Sequence, residues 1–187
     1  MASSAVEICN SALIKVGADT IVSLSEDNQR ARIVNEQYGK SRKEMIRSHP
    51  WNFALVRLEL AALASPPVYE YAYQFQLPAD CLRVLRTDLP SNEDFKIEGR
   101  KILANSNTLR ILYLKDETDV SKFDANFCEA LACKIAANIA FSLSGSATLA
   151  TGLYQIAKDM MREARSYDAQ EGSADRIIAD EWINTRF

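Results

Sequence analysis

The feature that most constrains the fold is a change in the spacing of apolar residues along the chain. Near the start they recur at gaps of three and four, as in Val6, Cys9, Leu13 and Val16, which is the spacing of one helix face. In the middle, aromatic residues fall on every second position from Tyr69 to Phe75, which is typical of a strand. After Asp124 the helical spacing returns. The chain is therefore predicted to be helical at both ends around a strand-rich middle.

This order of elements predicts an α+β fold, namely a four-helix bundle with an inserted small antiparallel β-sheet and an extended C-terminal tail. At 187 residues with 48% hydrophobic content, one compact domain is expected. We expect residues 1–50 and 122–171 to be helical, about 66–116 to form the β insertion, and 172–187 to form a docking tail.

Local signals place the first two helices. Ser3 and Ser4 can cap the first, and Gly17 ends it. Acceptors and negative charge at Ser25 to Asp27 predict the start of the second, which should run to about Ser48 because Pro50 follows. Its inward stripe is interrupted by a charge. The stripe comprises Ala31, Val34, Tyr38 and Met45, with Arg42 among them.

The middle of the chain opens with a segment that fits two interpretations and continues with clear strand signals. The apolar run from Leu55 to Leu63 fits either a strand or a helix. A strand from Val68 would place four aromatic rings on one face: Tyr69, Tyr71, Tyr73 and Phe75. Further alternating segments, ending with Leu109 to Leu114, predict one antiparallel meander.

Two more helices follow. In the third, capped by Asp124, large apolar residues spaced by four run beside a row of small residues that permits close helix approach. The large residues are Phe127, Leu131, Ile135 and Ile139, and the small ones Ala132, Ala136 and Ala140. After Gly145, a stripe predicts the fourth helix, ending near Gly172. It comprises Leu149, Leu153, Ile156, Met160, Ala164 and Tyr167.

Charge and cysteine usage narrow the classes of function. The formal net charge of -3 disfavours a sequence-reading DNA binder. A local basic patch of Arg42, Lys43 and Arg47 remains an alternative, although such clusters are usually solvated. No secretory signal is visible, and the apolar stretch from Phe127 to Leu143 carries charges costly in a bilayer, so we expect a cytosolic origin and a buried helix. The four cysteines fit neither a redox pair nor a zinc motif, and we expect them to be reduced core residues.

Candidate chemistry is sparse, and neither a cofactor nor a metal site is predicted. The single histidine, His49, is more typical of a helix C-terminal cap or a packed ring than of a catalyst. An acidic cluster, Asp116, Glu117, Asp119 and Asp124, could bind calcium or serve a glycosidase, but a solvated turn with a helix cap is the simpler interpretation. The aromatic strand could stack single-stranded nucleic acid, but it lacks interleaved basic residues, so a core or interface role is favoured.

Several segments, in order, resemble the tail tubular protein A family, the head-to-tail adaptors of short-tailed bacteriophages. The most distinctive is Arg47-Ser48-His49-Pro50-Trp51-Asn52-Phe53-Ala54. Others are Ile8 to Gly17, Tyr71 to Tyr73 with Leu77 to Val84, Glu98-Gly99-Arg100, Asp119 to Ala132, and Ala164-Arg165 with Asp180, Trp182 and Arg186. The resemblance spans nearly the whole chain.

The resemblance implies a structural virion subunit that is not an enzyme. Such a subunit joins a ring of twelve between the portal and the tail nozzle, around the channel through which DNA passes without sequence-specific binding. It implies no cofactor and no membrane. A virion-associated glycan hydrolase using Asp116, Asp119 or Asp124, and a single-stranded nucleic-acid module, are the alternatives.

Two sets of residues are candidate contact sites in such a ring. The apolar terminus, which has no partner of its own, is expected to dock on the portal or a neighbouring subunit through Ile178, Trp182, Ile183, Arg186 and Phe187. Turns are expected to project from the sheet toward the nozzle at Gly99, Arg100, Asn105 and Asn107.

Overall fold

The computed structural model describes residues 4–171, which form four helices and two three-stranded antiparallel sheets, so the predicted α+β class is confirmed. The helices are α1 (Ala5–Lys15), α2 (Gln29–Ser48), α3 (Ala125–Ser144) and α4 (Ala147–Gln170). The strands are β1 (Leu55–Leu60), β2 (Tyr73–Gln76), β3 (Cys81–Thr87), β4 (Lys96–Glu98), β5 (Lys101–Ala104) and β6 (Leu109–Lys115). Two short 3-10 turns lie at Asn52–Ala54 and Val120–Lys122. Strand structure thus begins at Leu55, which settles the segment that the sequence left open.

Helix ends follow the predicted capping chemistry with one shift. The Ser4 hydroxyl accepts from the Glu7 amide at 3.1 Å while the Glu7 carboxylate accepts from the Ser4 amide at 2.8 Å, a reciprocal capping box. Asp124 caps α3, which ends at Gly145 with a φ of 68°. Helix α2 starts later than predicted, because its cap is Asn28, whose side chain accepts from the Ala31 amide.

Helix α3 lies at the centre of the helical layer and contacts α1, α2 and α4. Its predicted apolar stripe and small-residue row are both buried: Phe127, Leu131, Ile135, Ile139, Ala132, Ala136 and Ala140. By length and composition alone this helix could cross a membrane, but its apolar face is covered by the other helices. The four cysteines are buried and are not joined in disulfides, and burial raises the pKa of Cys9 to about 12.

The predicted single meander is wrong, because the strands divide into two sheets. Sheet A has the order β1-β6-β3 and sheet B the order β2-β5-β4. Strand β6 pairs along its length with β1, from Leu55 opposite Leu114 to Leu60 opposite Leu109. Since β3 occupies the other edge of β6, β5 pairs with β2 and β4 instead. A second apolar cluster, including Phe75, Ile102 and Ile111, joins the two sheets.

The expected four-ring aromatic face is also wrong. Only Tyr73 and Phe75 lie in a strand, and Phe75 is fully buried, whereas Tyr69 is 73% exposed. Glu70 has a φ of 67°, which turns the backbone out of the extended conformation that a continuous strand from Val68 requires. The stacking platform for nucleic acid therefore lacks its geometric basis.

Only some residues of the predicted inward stripe of α4 are buried. Leu153 and Ala164 are buried, together with Ala157 and Asp168, but Ile156 and Tyr167 are about half exposed. Helix α4 packs on α3 through a face rotated away from these two residues. They are left as apolar groups on the outside of the helical layer.

Candidate functional site

One polar site is built around the turn after α2, which carries the distinctive His49-Pro50-Trp51-Asn52 segment. Helix α2 ends at Ser48, and His49 is its extended C-cap with a φ of -146°, as the following proline requires. Trp51 is fully buried and its indole Nε1 donates to the Met45 carbonyl at 2.9 Å. The turn is therefore folded back onto the end of the helix that it leaves.

Aromatic contacts fix this turn in the helical core. The rings of Trp51 and Phe127 meet edge to face at 4.9 Å between centroids. Phe53 lies 4.9 Å from Phe127 and 5.1 Å from Phe123. Such pairs add specific geometry to the burial of apolar area. Trp51 thus packs in the core, with Phe53 partly buried at the edge of the cluster.

Asp168, near the end of α4, closes the turn from the other side. Its Oδ2 lies 3.1 Å from His49 Nε2, and its Oδ1 accepts from the Asn52 amide at 3.0 Å. The Asn52 side chain in turn donates to the Asp168 carbonyl at 2.7 Å. We call this set of contacts among His49, Asn52 and Asp168 the Asp168 clip. It ties together segments more than one hundred residues apart.

Electrostatics at the Asp168 clip favour a neutral imidazole. Burial lowers the pKa of His49, while the hydrogen bond to Asp168 opposes that effect in part. The neighbouring hydroxyl, Ser48 Oγ, donates to the Met45 carbonyl and accepts from Arg165, so it is engaged at the helix end. The histidine acts here as a cap and packed ring, which is the interpretation that the sequence favoured.

Of the basic residues of α2, Lys43 and Arg47 are exposed, as the sequence favoured, whereas Arg42 is buried, and all three contact sheet A or the loop that follows it. Arg42 is buried and pairs with Asp116 at 2.8 Å, and Lys43 lies 3.4 Å from the same carboxylate. Arg47 donates to the Leu82 carbonyl of β3. Arg42 can lie within the apolar stripe because its charge is paired with Asp116, which directly follows β6.

The remaining members of the acidic cluster each serve the local backbone. Glu117 is buried, pairs with Lys122 at 2.8 Å and accepts from the Asp119 amide. Asp119 caps the turn at Ser121, and Asp124 caps α3. Within residues 4–171 no group of three or more potential ligands is arranged to hold a metal ion.

The turns predicted to face a nozzle are exposed. Gly99 and Arg100 join β4 to β5 with φ values of 50° and 66°, a tight hairpin turn. The Arg100 guanidinium donates back to the Pro78 and Ala79 carbonyls, which fixes the hairpin to the loop before β3. Asn105 and Asn107 lie exposed between β5 and β6, and Asn105 accepts from the Ala72 amide.

Two groups of exposed apolar side chains lie on different elements of the fold, and single ones such as Ile14 and Val22 lie elsewhere. One set is on the outer side of α4, where Ile156 is 47% and Tyr167 54% exposed. The other surrounds sheet B, where Val68 is 99%, Tyr69 73% and Ile97 48% exposed. We call these the α4 surface and the sheet B surface. Helix spacing places Ile156 and Tyr167 within about 20° of each other around α4.

The terminal docking residues Ile178, Trp182, Ile183, Arg186 and Phe187 lie outside the described residues. No protein-family model matches the chain, and no curated protein matches it.

Sequence reasoning missed Asp168 and Asn52. Helical spacing could have indicated Asp168, because it follows Ala164 by four residues and so falls on the buried face of α4. A carboxylate on such a face requires a partner, and the lone histidine is that partner.

Proposed function

We propose that this chain is a structural head-to-tail adaptor subunit of a bacteriophage virion, without enzymatic activity. It joins a ring of about twelve copies between the portal and the tail nozzle. Genomic DNA passes through the ring without sequence-specific binding. The chain is made in the host cytoplasm and resides at the head-tail junction of the particle. The resemblance to the tail tubular protein A family supplies this assignment.

The observation that carries the proposal is the presence of two distinct exposed apolar surfaces. A closed ring needs head-to-tail contacts, in which one face of a subunit meets a different face of the next. The α4 surface and the sheet B surface belong to different layers of the fold and so supply two non-identical faces. Large exposed apolar residues are the expected anchors of such contacts.

The hydrogen bonds and ion pairs of the buried polar residues support a structural role, because they are made within the fold. The Asp168 clip and the Arg42–Asp116 pair join distant elements of the fold, and Glu117 holds the loop after β6. The segment with the most distinctive resemblance, Arg47 to Ala54, contains His49 and Asn52, which the clip holds. In our proposal this motif is retained for rigidity of the subunit, and the adaptor needs neither cofactor nor metal.

We further propose that the four helices act as one rigid bundle and that residues 172–187 form a docking tail. The bundle is the wedge of the ring, and the tail attaches to the portal or the adjacent subunit. The turns at Gly99, Arg100, Asn105 and Asn107 face the nozzle, since they are exposed and connect strands of the sheets. The subunit has no membrane contact.

Light scattering of the purified chain, alone and mixed with portal particles of its phage, tests the proposal. We expect a portal-dependent rise in mass that corresponds to about twelve bound copies, with electron microscopy showing an added ring. A chain that stays solitary with the portal contradicts the proposal.

A surface variant sharpens this experiment. Ile156→Lys places a charge on the α4 surface, where it would be buried between subunits, and is expected to reduce ring formation at least tenfold with unchanged thermal stability. Ser166→Lys, also exposed on α4, is the matched control and should assemble normally. Glycan release by the purified chain, or strongly salt-dependent binding of single-stranded nucleic acid, would favour the alternative functions.

A further inference from the structure

A groove with a volume of about 590 Å3 lies between α2, α3 and α4 on the helical side of the molecule. Its floor is apolar, with Met45 and Ala130 almost fully buried and Met161 partly buried. The ring of Tyr154 stands at its side, 52% exposed, with Lys134 Nζ 5.8 Å from the ring centroid. The groove thus offers an apolar base with a polar rim, the usual form of a peptide-binding surface.

The rim of the groove carries an excess of positive charge. Lys134, Lys158, Arg162 and Arg165 stand against the two acids Glu44 and Asp159. Lys134 pairs with Glu44 and Arg162 with Asp159, which leaves Lys158 and Arg165 without a carboxylate partner within residues 4–171. The Arg165 Nε is buried and makes no hydrogen bond in the same part of the chain. An unsatisfied buried donor of this kind favours an acidic ligand.

The chain itself contains a segment of matching composition. Between residues 172 and 187, two adjacent acids, Asp180 and Glu181, are followed directly by Trp182 and Ile183. The acids match Lys158 and Arg165 on the rim, and the two apolar side chains match the methionine floor. No other part of the sequence places two adjacent acids directly before a tryptophan.

The segment is also within reach of the groove. One wall of the groove is formed by α4, from Tyr154 to Arg165, and α4 ends at Gln170. At 1.5 Å per residue, Gln170 lies about 24 Å along the helix axis from Tyr154 and about 8 Å from Arg165. The ten residues from Glu171 to Asp180 can extend up to about 33 Å, so the acids reach every point of the rim.

We propose that, in the free subunit, the segment around Asp180 to Ile183 folds back and occupies this groove of its own chain. Attachment to the same chain gives the segment a millimolar effective concentration, so a few weak contacts are enough. Occupation covers the apolar floor and satisfies Arg165 and Lys158. This contact is distinct from the docking of the tail in the assembled ring and does not depend on the proposed virion function.

Zero-length cross-linking of the full chain at low micromolar concentration tests the proposal. A carbodiimide joins a carboxylate to a lysine amine only where the two are in contact. We expect amide links from Asp180 or Glu181 to Lys158 or Lys134 in the monomer band, mapped by mass spectrometry. Absence of these links, links confined to a dimer band, or equally frequent links to the sheet B residues Lys96 and Lys101 would overturn the proposal.

Charge reversal separates a specific contact from random collisions. Lys158→Glu is expected to reduce the yield of the link to Lys134 about threefold, in line with the strength of an exposed ion pair. Adding Glu181→Lys to that variant should restore at least half of the yield, through the link from Asp180. Lys96→Glu, an equally exposed reversal on β4, is the matched control. If Lys158→Glu has no larger effect than Lys96→Glu, the groove is not the binding site.

Discussion

His49 at the end of α2 and Asp168 near the end of α4 are joined by a contact of 3.1 Å between imidazole Nε2 and carboxylate Oδ2. The same carboxylate accepts from the Asn52 amide, so one buried side chain holds both the histidine and the backbone after it. This clip determines how the chain passes from the helical layer into sheet A. The buried ring of Trp51, packed on Phe127, holds the same junction from the core side.

Replacing Asp168 by alanine should lower the free energy of unfolding by about 1 to 3 kcal/mol, because it leaves two part-buried donors, His49 Nε2 and the Asn52 amide, without their acceptor. Urea unfolding measured by circular dichroism gives the value. Asp159→Ala is the control, since Asp159 lies on the same helix and its pair with Arg162 is largely open to solvent. That change should cost less than about 0.5 kcal/mol. Equal effects of the two variants would show that the clip is unimportant for stability.

Stability should fall as the pH drops through the range in which His49 titrates. Its pKa in the folded state lies below the ordinary value of 6.5, chiefly because the ring is buried. As the pH falls below 6.5, the unfolded chain therefore binds more protons at His49 than the folded chain does. The stability that the neutral His49 contributes is present above pH 6.5 and is lost as the pH falls through the pKa of the folded state.

Urea unfolding between pH 5 and 7.5 measures this effect. His49 is the single histidine of the chain, so His49→Gln should weaken the pH dependence of the free energy of unfolding in the upper half of this pH range. A wild-type chain that instead gains stability on acidification from pH 7.5 to 6 would mean that a charged imidazole pairs with Asp168 and that the proposed direction is wrong.

The Arg42–Asp116 pair should behave as a buried anchor of α2. Asp116→Ala leaves the largely buried guanidinium of Arg42 without its carboxylate, and should cost about 2 to 4 kcal/mol in unfolding free energy. The double variant Arg42→Met with Asp116→Ala should be less destabilised than the sum of the single changes. Lys40→Ala breaks an exposed pair on the same helix and should cost less than about 0.5 kcal/mol. Strict additivity of the Arg42 and Asp116 changes would exclude direct coupling.

Two glycines should respond in opposite directions to the same substitution. Gly99→Ala places a Cβ at a φ of 50° in the hairpin turn, where the strain should cost about 1 kcal/mol. Gly152→Ala in α4 adds a Cβ where no atom lies within 4 Å, and should stabilise the chain by about 0.5 to 1 kcal/mol through helix propensity. Thermal unfolding of the two variants measures both signs. A stabilising Gly99→Ala would mean that the turn relaxes to another conformation.

Local sequence signals determined the helices and much of their burial. The caps at Ser4 and Asp124, the stops at Gly17, Pro50 and Gly145, and the spacing of Phe127, Leu131, Ile135 and Ile139 act within one or two turns of backbone. Their effects can be read from neighbouring residues because hydrogen bonding and helix geometry are local there. The α+β class follows from the change of period in the same way.

Only the tertiary structure decided how distant segments combine. The choice of β1 and not β5 as the partner of β6 depends on pairing between strands far apart in sequence, and it produces two sheets where the pattern predicted one. The partners of Arg42 and His49, and the outward side of α4, depend likewise on residues that only the folded chain brings together. Alternation and helical spacing in the sequence indicate which faces are apolar. They do not indicate which element covers each face, because burial of apolar area is favourable against any complementary surface.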